Sequence, residues 1–163
     1  MKLRNLLLDL SKDDILKLIY IIYYLNGGIY MDYKELILSA LEAREKAYCP
    51  YSNFKVGSAI LFENGEIYTG SNIENASLGA TNCAERTAIF KGVHDGNREI
   101  KAVAVVGDTN SYTYPCGICR QVIAEFVRDE KIPVIIIKNE NDYIVKTFEE
   151  ILPGSFSKKD LLG

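Results

Sequence analysis

The sequence predicts an α/β domain, a mixed five-stranded sheet in a three-layer α-β-α sandwich. Three observations carry that prediction. The runs "IKAVAVVG" and "PVIIIK" are continuously apolar, as parallel strands buried on both faces are. Each is preceded by a stretch with apolar residues at helical spacing, "CAERTAIFKGV" and "CGICRQVIAEFVRD". At 163 residues, 48% hydrophobic and 25% charged, the chain is long enough for one compact domain with a real core and too short for two.

Taken in order, two capped helices open the chain. In "SKDDILKLIYIIYYLNGG", Ser11 is the N-cap, Asp14 stands three residues on, and Gly27 is the stop. Its apolar run, Ile15 to Leu25, is shorter than the roughly 20 residues a spanning helix needs. "DYKELILSALEAREKAY" starts a second helix from Asp32, with Glu35 three residues on; Leu36, Ile37, Ala40, Leu41 and Ala47 form its apolar stripe. "FKVGSAILF" alternates, placing Phe54, Val56, Ile60 and Phe62 on one face. "ENGE" is a hairpin signal and "IYTGSNI" pairs back. The two helix–strand alternations follow. A short strand, "YIVKTF", then leads into a terminal helix in "EEILPGSFSKKDLL". Residues 1–30 stand outside this pattern, which assigns the globular domain to 31–163. Gly27 and Gly28 precede Met31 where a translated ribosome-binding site would lie. Two readings stay open: Met31 as the natural start, or a genuine docking helix ahead of it.

A net charge of -3 offers no basic field for a polynucleotide and suits a small or neutral ligand. Lys2 and Arg4 are followed by acid-bearing sequence instead of a signal core, so a cytoplasmic, reducing location is expected. There, clustered cysteines read as metal ligands or redox groups more than as disulfides.

Four cysteines are present: Cys49, Cys83, Cys116 and Cys119. Cys116-Gly117-Ile118-Cys119 alone is ambiguous between zinc binding and thiol–disulfide exchange. Cys83 shifts the balance, because it too opens a predicted helix. The positive end of a helix dipole favours the thiolate that binds metal. Three such thiolates supply three corners of a tetrahedron, and an open fourth corner distinguishes catalytic from structural zinc. Cys49 has no paired cysteine nearby and reads as a small buried residue, although a fourth ligand there would close the site. His94, the only histidine, lies in the polar turn "KGVHDGNRE" and reads as solvated. The base must then be another group, and Glu85, in the first turn after Cys83, is placed for it. Arg86 can donate to a ligand sulfur and offset three negative thiolates. The competing reading makes Glu85 and Arg86 ordinary helix-surface residues.

With these residues in place, the chain resembles the small, homotetrameric zinc-dependent cytidine deaminases. "CAERTA" and "PCGICRQV" resemble that family's C-x-E and P-C-x-x-C signatures, whose chemistry is known for zinc deaminases generally. "AYCPYSNFKVGSA", "NIENAS" and "ILPGSF" resemble family segments in family order, and the likeness runs from Tyr33 to about Leu161. The resemblance implies one Zn²⁺ per chain on Cys83, Cys116 and Cys119, and hydrolytic deamination of cytidine and 2′-deoxycytidine, a step of pyrimidine salvage. Glu85 would take a proton from water, pass it to N3 and protonate the leaving amine. The resemblance also puts Asn72 and Glu74 on the ribose and Phe54 beside the pyrimidine. Phe156 would reach a neighbouring subunit's site in a homotetramer. Ala84, small and between ligand and base, would let the backbone approach the ring. Without the resemblance, Asn72 and Asn75 would read as turn caps and Phe54 and Phe156 as core. Ile118 and Leu78 depart from frequent family choices, which bears on fine specificity only.

The expected partner is a free nucleoside, with no nucleic acid and no membrane. A deaminase of another aminopyrimidine nucleoside, such as an antibiotic, is a rival within the same chemistry. A thioredoxin-like oxidoreductase is a rival of another class, but it leaves Cys83 and Glu85 without work.

Overall fold

The computed structural model describes residues 33–162, so the predicted first helix and the Asp32 cap lie outside the described residues. Helix α1, Lys34–Glu45, is followed by the hairpin β1, Gly57–Phe62, and β2, Ile67–Ser71. Helix α2, Ala84–His94, strand β3, Ile100–Val106, helix α3, Gly117–Phe126, and strand β4, Pro133–Asn139, come next. Strand β5, Asp142–Thr147, runs directly into a short helix α4, Phe148–Ile151, and α5, Lys158–Leu162, ends the described chain. The sheet order is β2-β1-β3-β4-β5. Only β3 and β4 are parallel, and the other neighbours are antiparallel, which makes the sheet mixed as expected.

Helices cover both faces. Ile60, Phe62, Val103 and Val105 join Ile89 of α2, Ile123 of α3 and Phe148 of α4 in one continuous buried core. The opposite face meets α1. Gly57 lies so close to it that a Cβ there would fall 2.2 Å from the Ala40 carbonyl oxygen. Gly70 makes the matching approach to α2, where a Cβ would lie 2.4 Å from the Ala84 carbonyl oxygen. A side chain at either position would push a helix off the sheet.

Three expectations are corrected. The first strand is buried on both faces, with only Leu61 half-exposed, because α1 and α2 pack on opposite sides of it. Phe54 and Val56 precede that strand, and Phe54 is exposed. In α1 the buried residues are Leu36, Ile37, Ala40 and Ala43, whereas Leu41 is half-buried and Ala47 lies past the helix end. The terminal helix is two short ones, separated where Pro153 and Gly154 (φ 65°) break the helical path.

Strand register gathers the connections that matter. Gly57, the first residue of β1, pairs with Ser71, the last of β2, and with Val106, the last of β3. The segment entering β1 and the segments leaving β2 and β3 therefore meet at one end of the sheet. The last two lead to the starts of α2 and α3.

Candidate active site

Cys83 is the N-cap of α2 and Cys116 the N-cap of α3, both with extended backbone, and Cys119 follows in the first turn of α3. The three sulfurs lie within 4.8 Å of one another. Zn–S bonds of about 2.3 Å at tetrahedral angles put neighbouring sulfurs about 3.8 Å apart. The Cys83 and Cys116 Sγ atoms are 3.8 Å apart, so this edge already has the spacing zinc requires. Cys49, half-buried rather than fully buried, is not in the cluster. His94 is the exposed last residue of α2, a helix end instead of a turn.

The thiols do not share their protons evenly. A hydrogen bond from Cys119, reinforced by the Arg86 guanidinium, brings the Cys83 thiol down to about 5. The same bond, with burial, pushes Cys119 up. Of these two, Cys83 is the one that favours the thiolate. Arg86 Nη2 donates to Cys83 Sγ at 3.3 Å and to the Thr81 carbonyl at 3.1 Å. The surface-helix reading of Glu85 does not hold, since its side chain is only 3% exposed. Burial is the main cause that pushes its carboxyl up to about 7, with the Cys83 charge adding to it. Such a carboxyl takes up and releases a proton near neutral pH. Ala84 beside it is fully buried.

Irregular segments lie next to the thiol cluster. Ile73 bridges Tyr48 on one side and Asn82 on the other. Backbone bonds close this ladder: Tyr48 N–H to Asn72 O (3.0 Å), Glu74 N–H to Tyr48 O (2.8 Å) and Ile73 N–H to Asn82 O (2.9 Å). Asn82 precedes Cys83, so the ladder carries residues 48 and 72–74 to the metal cluster. Asn72 is buried, with Oδ1 accepting from Val56 N–H at 2.8 Å and Nδ2 donating to Phe54 O at 2.9 Å. Glu74 Oε2 accepts from the backbone N–H groups of Tyr51 (2.9 Å) and Ser52 (3.2 Å), and Oε1 accepts from the Ser52 hydroxyl. Those donors, Ser52 first, hold the Glu74 carboxyl below its ordinary range.

Phe156 is 59% exposed. Its carbonyl accepts from Gln121 Nε2 at 2.7 Å, so α3 holds the segment that carries it. Arg120 joins the same two regions, donating from Nε to Pro115 O (2.7 Å) and from Nη1 to Ile151 O (2.8 Å). Spacing in the sequence carried no signal for Arg120 or Gln121, whose partners lie on other elements. Ser52 was signalled only weakly, as a polar residue in a turn.

A model of the cytidine and deoxycytidylate deaminase zinc-binding region matches residues 31–136. A cytidine deaminase of Sporosarcina psychrophila is 53% identical over 131 residues, which are 80% of this chain and 96% of that protein. The chain belongs to the cytidine and deoxycytidylate deaminase family. A second relative, cytidine deaminase of Halalkalibacterium halodurans, is 48% identical over 80% of this chain and 98% of its own length. The fold agrees with solved members of this deaminase family. The crystal structure of cytidine deaminase from Burkholderia pseudomallei is similar with a TM-score of 0.71 and 45% identity, covering 77% of this chain and all of that one. That from Mycobacterium tuberculosis gives 0.68 and 33%, over 77% of this chain and 98% of its own. Zinc is the family's metal, and among the described residues the Cys83, Cys116 and Cys119 cluster could hold it. No helix among the described residues is long and apolar enough to cross a membrane.

Proposed function

We propose that this chain converts cytidine and 2′-deoxycytidine to uridine and 2′-deoxyuridine by hydrolysis, releasing ammonia. The observation that carries the reading is Glu85. It is a buried carboxyl poised near neutral, two residues from Cys83, and the Cys83 thiolate adds to its raised pKa. When bound at Cys83, Cys116 and Cys119, one per chain, zinc supplies Lewis acidity that lowers the pKa of water. Glu85 accepts a proton from the attacking water and delivers it to N3 as C4 gains its oxygen. It then carries the second proton to the departing amine, so that water and cytidine balance uridine and ammonia. Arg86 holds the Cys83 sulfur by its hydrogen bond.

Phe54 lies against the pyrimidine, and Ala84, without a bulky side chain, lets the ring approach the start of α2. Asn72 and Glu74 take the ribose hydroxyls. Phe156 contacts the nucleoside in a neighbouring subunit of a homotetramer. Its exposure, with that of Tyr48, Tyr51, Phe54 and Ile118, supports a covered surface in the assembly. Residues 31–163 form the catalytic domain, 1–30 an extension, and the enzyme works on free nucleosides in the cytoplasm. The rival oxidoreductase reading is disfavoured by a third thiol and a buried carboxyl around the CxxC pair.

The test is ammonia release with cytidine, 2′-deoxycytidine and a panel of other aminopyrimidine nucleosides, beside an insulin-reduction assay. Ammonia and uridine in equal amounts, with no insulin reduction, are expected. Insulin reduction without ammonia release would replace this reading with the oxidoreductase one.

A further inference from the structure

Ser52 bonds to the Glu74 carboxylate, read as a ribose ligand, and to the backbone of Phe54, whose ring is read as lying beside the base. Its hydroxyl donates to Glu74 Oε1 and accepts from the Phe54 N–H at 3.0 Å. The direction is fixed by chemistry. An ionised carboxylate only accepts, so the single hydroxyl proton points to Glu74 and the lone pairs face the Phe54 amide. The Phe54 carbonyl is held in turn by Asn72 Nδ2, and Asn53 between Ser52 and Phe54 adopts a left-handed conformation (φ 56°). Phe54 is thus bracketed on its N–H by Ser52 and on its C=O by Asn72.

The bonding at Glu74 leaves room for a ligand. A carboxylate offers about four acceptor directions. Two N–H groups occupy Oε2, and the Ser52 hydroxyl takes one direction at Oε1. One direction at Oε1 is left for a ligand hydroxyl. Ser52 therefore orients the oxygen that such a hydroxyl would meet, and the chain Phe54 N–H, Ser52 O–H, Glu74 carboxylate polarises along its length. The side chain is exposed, so removing its oxygen opens no buried cavity.

We propose that Ser52 is a positioning residue for ribose recognition. Its hydroxyl ties the Glu74 carboxylate to the Phe54 backbone and sets the spacing at which sugar and base are held. This rests on the reading of Glu74 as a ribose ligand, and the experiment separates the two.

Steady-state kinetics with cytidine and 2′,3′-dideoxycytidine are measured for the zinc-loaded wild type and for Ser52→Ala, Ser52→Thr and Glu74→Gln. Losing one charge-assisted hydrogen bond is expected to raise KM for cytidine about tenfold in Ser52→Ala. Bound zinc should stay at the wild-type level and kcat within about twofold, because the hydroxyl bonds to Glu74 and the Phe54 N–H and to none of the thiols or Glu85. The preference for cytidine over the dideoxy substrate should shrink by about the same tenfold, and Ser52→Thr should restore it. An equal loss on both substrates in Ser52→Ala, or no loss, overturns the proposal. If Glu74→Gln shrinks the preference and Ser52→Ala does not, Ser52 alone is wrongly assigned. If Glu74→Gln leaves the preference untouched, the ribose reading of Glu74 falls, and this proposal with it.

Discussion

The thiol cluster and the Asn72–Glu74 segment emerge at the same end of the sheet, yet they are held by different means. Cys83, Cys116 and Cys119 sit at helix starts whose backbone is fixed by α2 and α3, and apart from the Arg86 bond to Cys83 their sulfurs bond mainly to one another. Asn72 and Glu74 sit on irregular chain and spend most of their hydrogen-bonding capacity on the neighbouring loop. On the first side, the backbone of two helices places the thiols, and no loop depends on their side chains for its backbone hydrogen bonds. On the second, the polar groups read as ribose ligands are also the scaffold. Substitutions should therefore separate function from stability in the metal half and mix them in the other.

The largest effect should come from Cys116→Ala, which removes one of the three proposed zinc ligands. Zinc by elemental analysis is expected to fall far below one per chain and ammonia release to become undetectable, while Cys49→Ser keeps both. Full metal retention in Cys116→Ala would break the comparison at its stronger half. Arg86→Ala should come next. Loss of a hydrogen bond to a metal ligand typically costs 10–100-fold in affinity, so competition with a chromogenic chelator should show zinc held about that much more weakly. Unchanged affinity would remove Arg86 from the site. Asn72→Ala strands the Val56 N–H and the Phe54 carbonyl in a partly buried place. It should lower unfolding free energy by about 1–3 kcal/mol, read by urea denaturation of the zinc-loaded protein, and raise KM as well. A pure KM effect with unchanged stability would show that the two halves are built alike.

Legibility in the sequence divides along the same line. Strands β3 and β4 were readable because both their faces are apolar, and the metal residues because helix-start cysteines at fixed spacing have few other uses. Glu85 was singled out by elimination of histidine, and its burial then showed that the surface alternative does not apply. Strand β1 was misread as one-sided. Its second face is closed by Gly57 and Ala59 under α1, and residues that small leave no hydrophobic signal. The break at Pro153-Gly154 was written in the sequence and should have split the terminal helix. Ser52, Arg120 and Gln121 also reach Glu74, Ile151 and Phe156, 22 to 35 positions away, which no local pattern encodes.

The most direct test of the account is Glu85→Ala, with bound zinc and cytidine-dependent ammonia release measured on the same preparation. Zinc should remain at the wild-type level while the rate falls at least about 10²-fold, the usual share of a positioned acid–base group. A zinc-loaded Glu85→Ala that releases ammonia at near wild-type rate would contradict the assignment of proton transfer to this carboxyl.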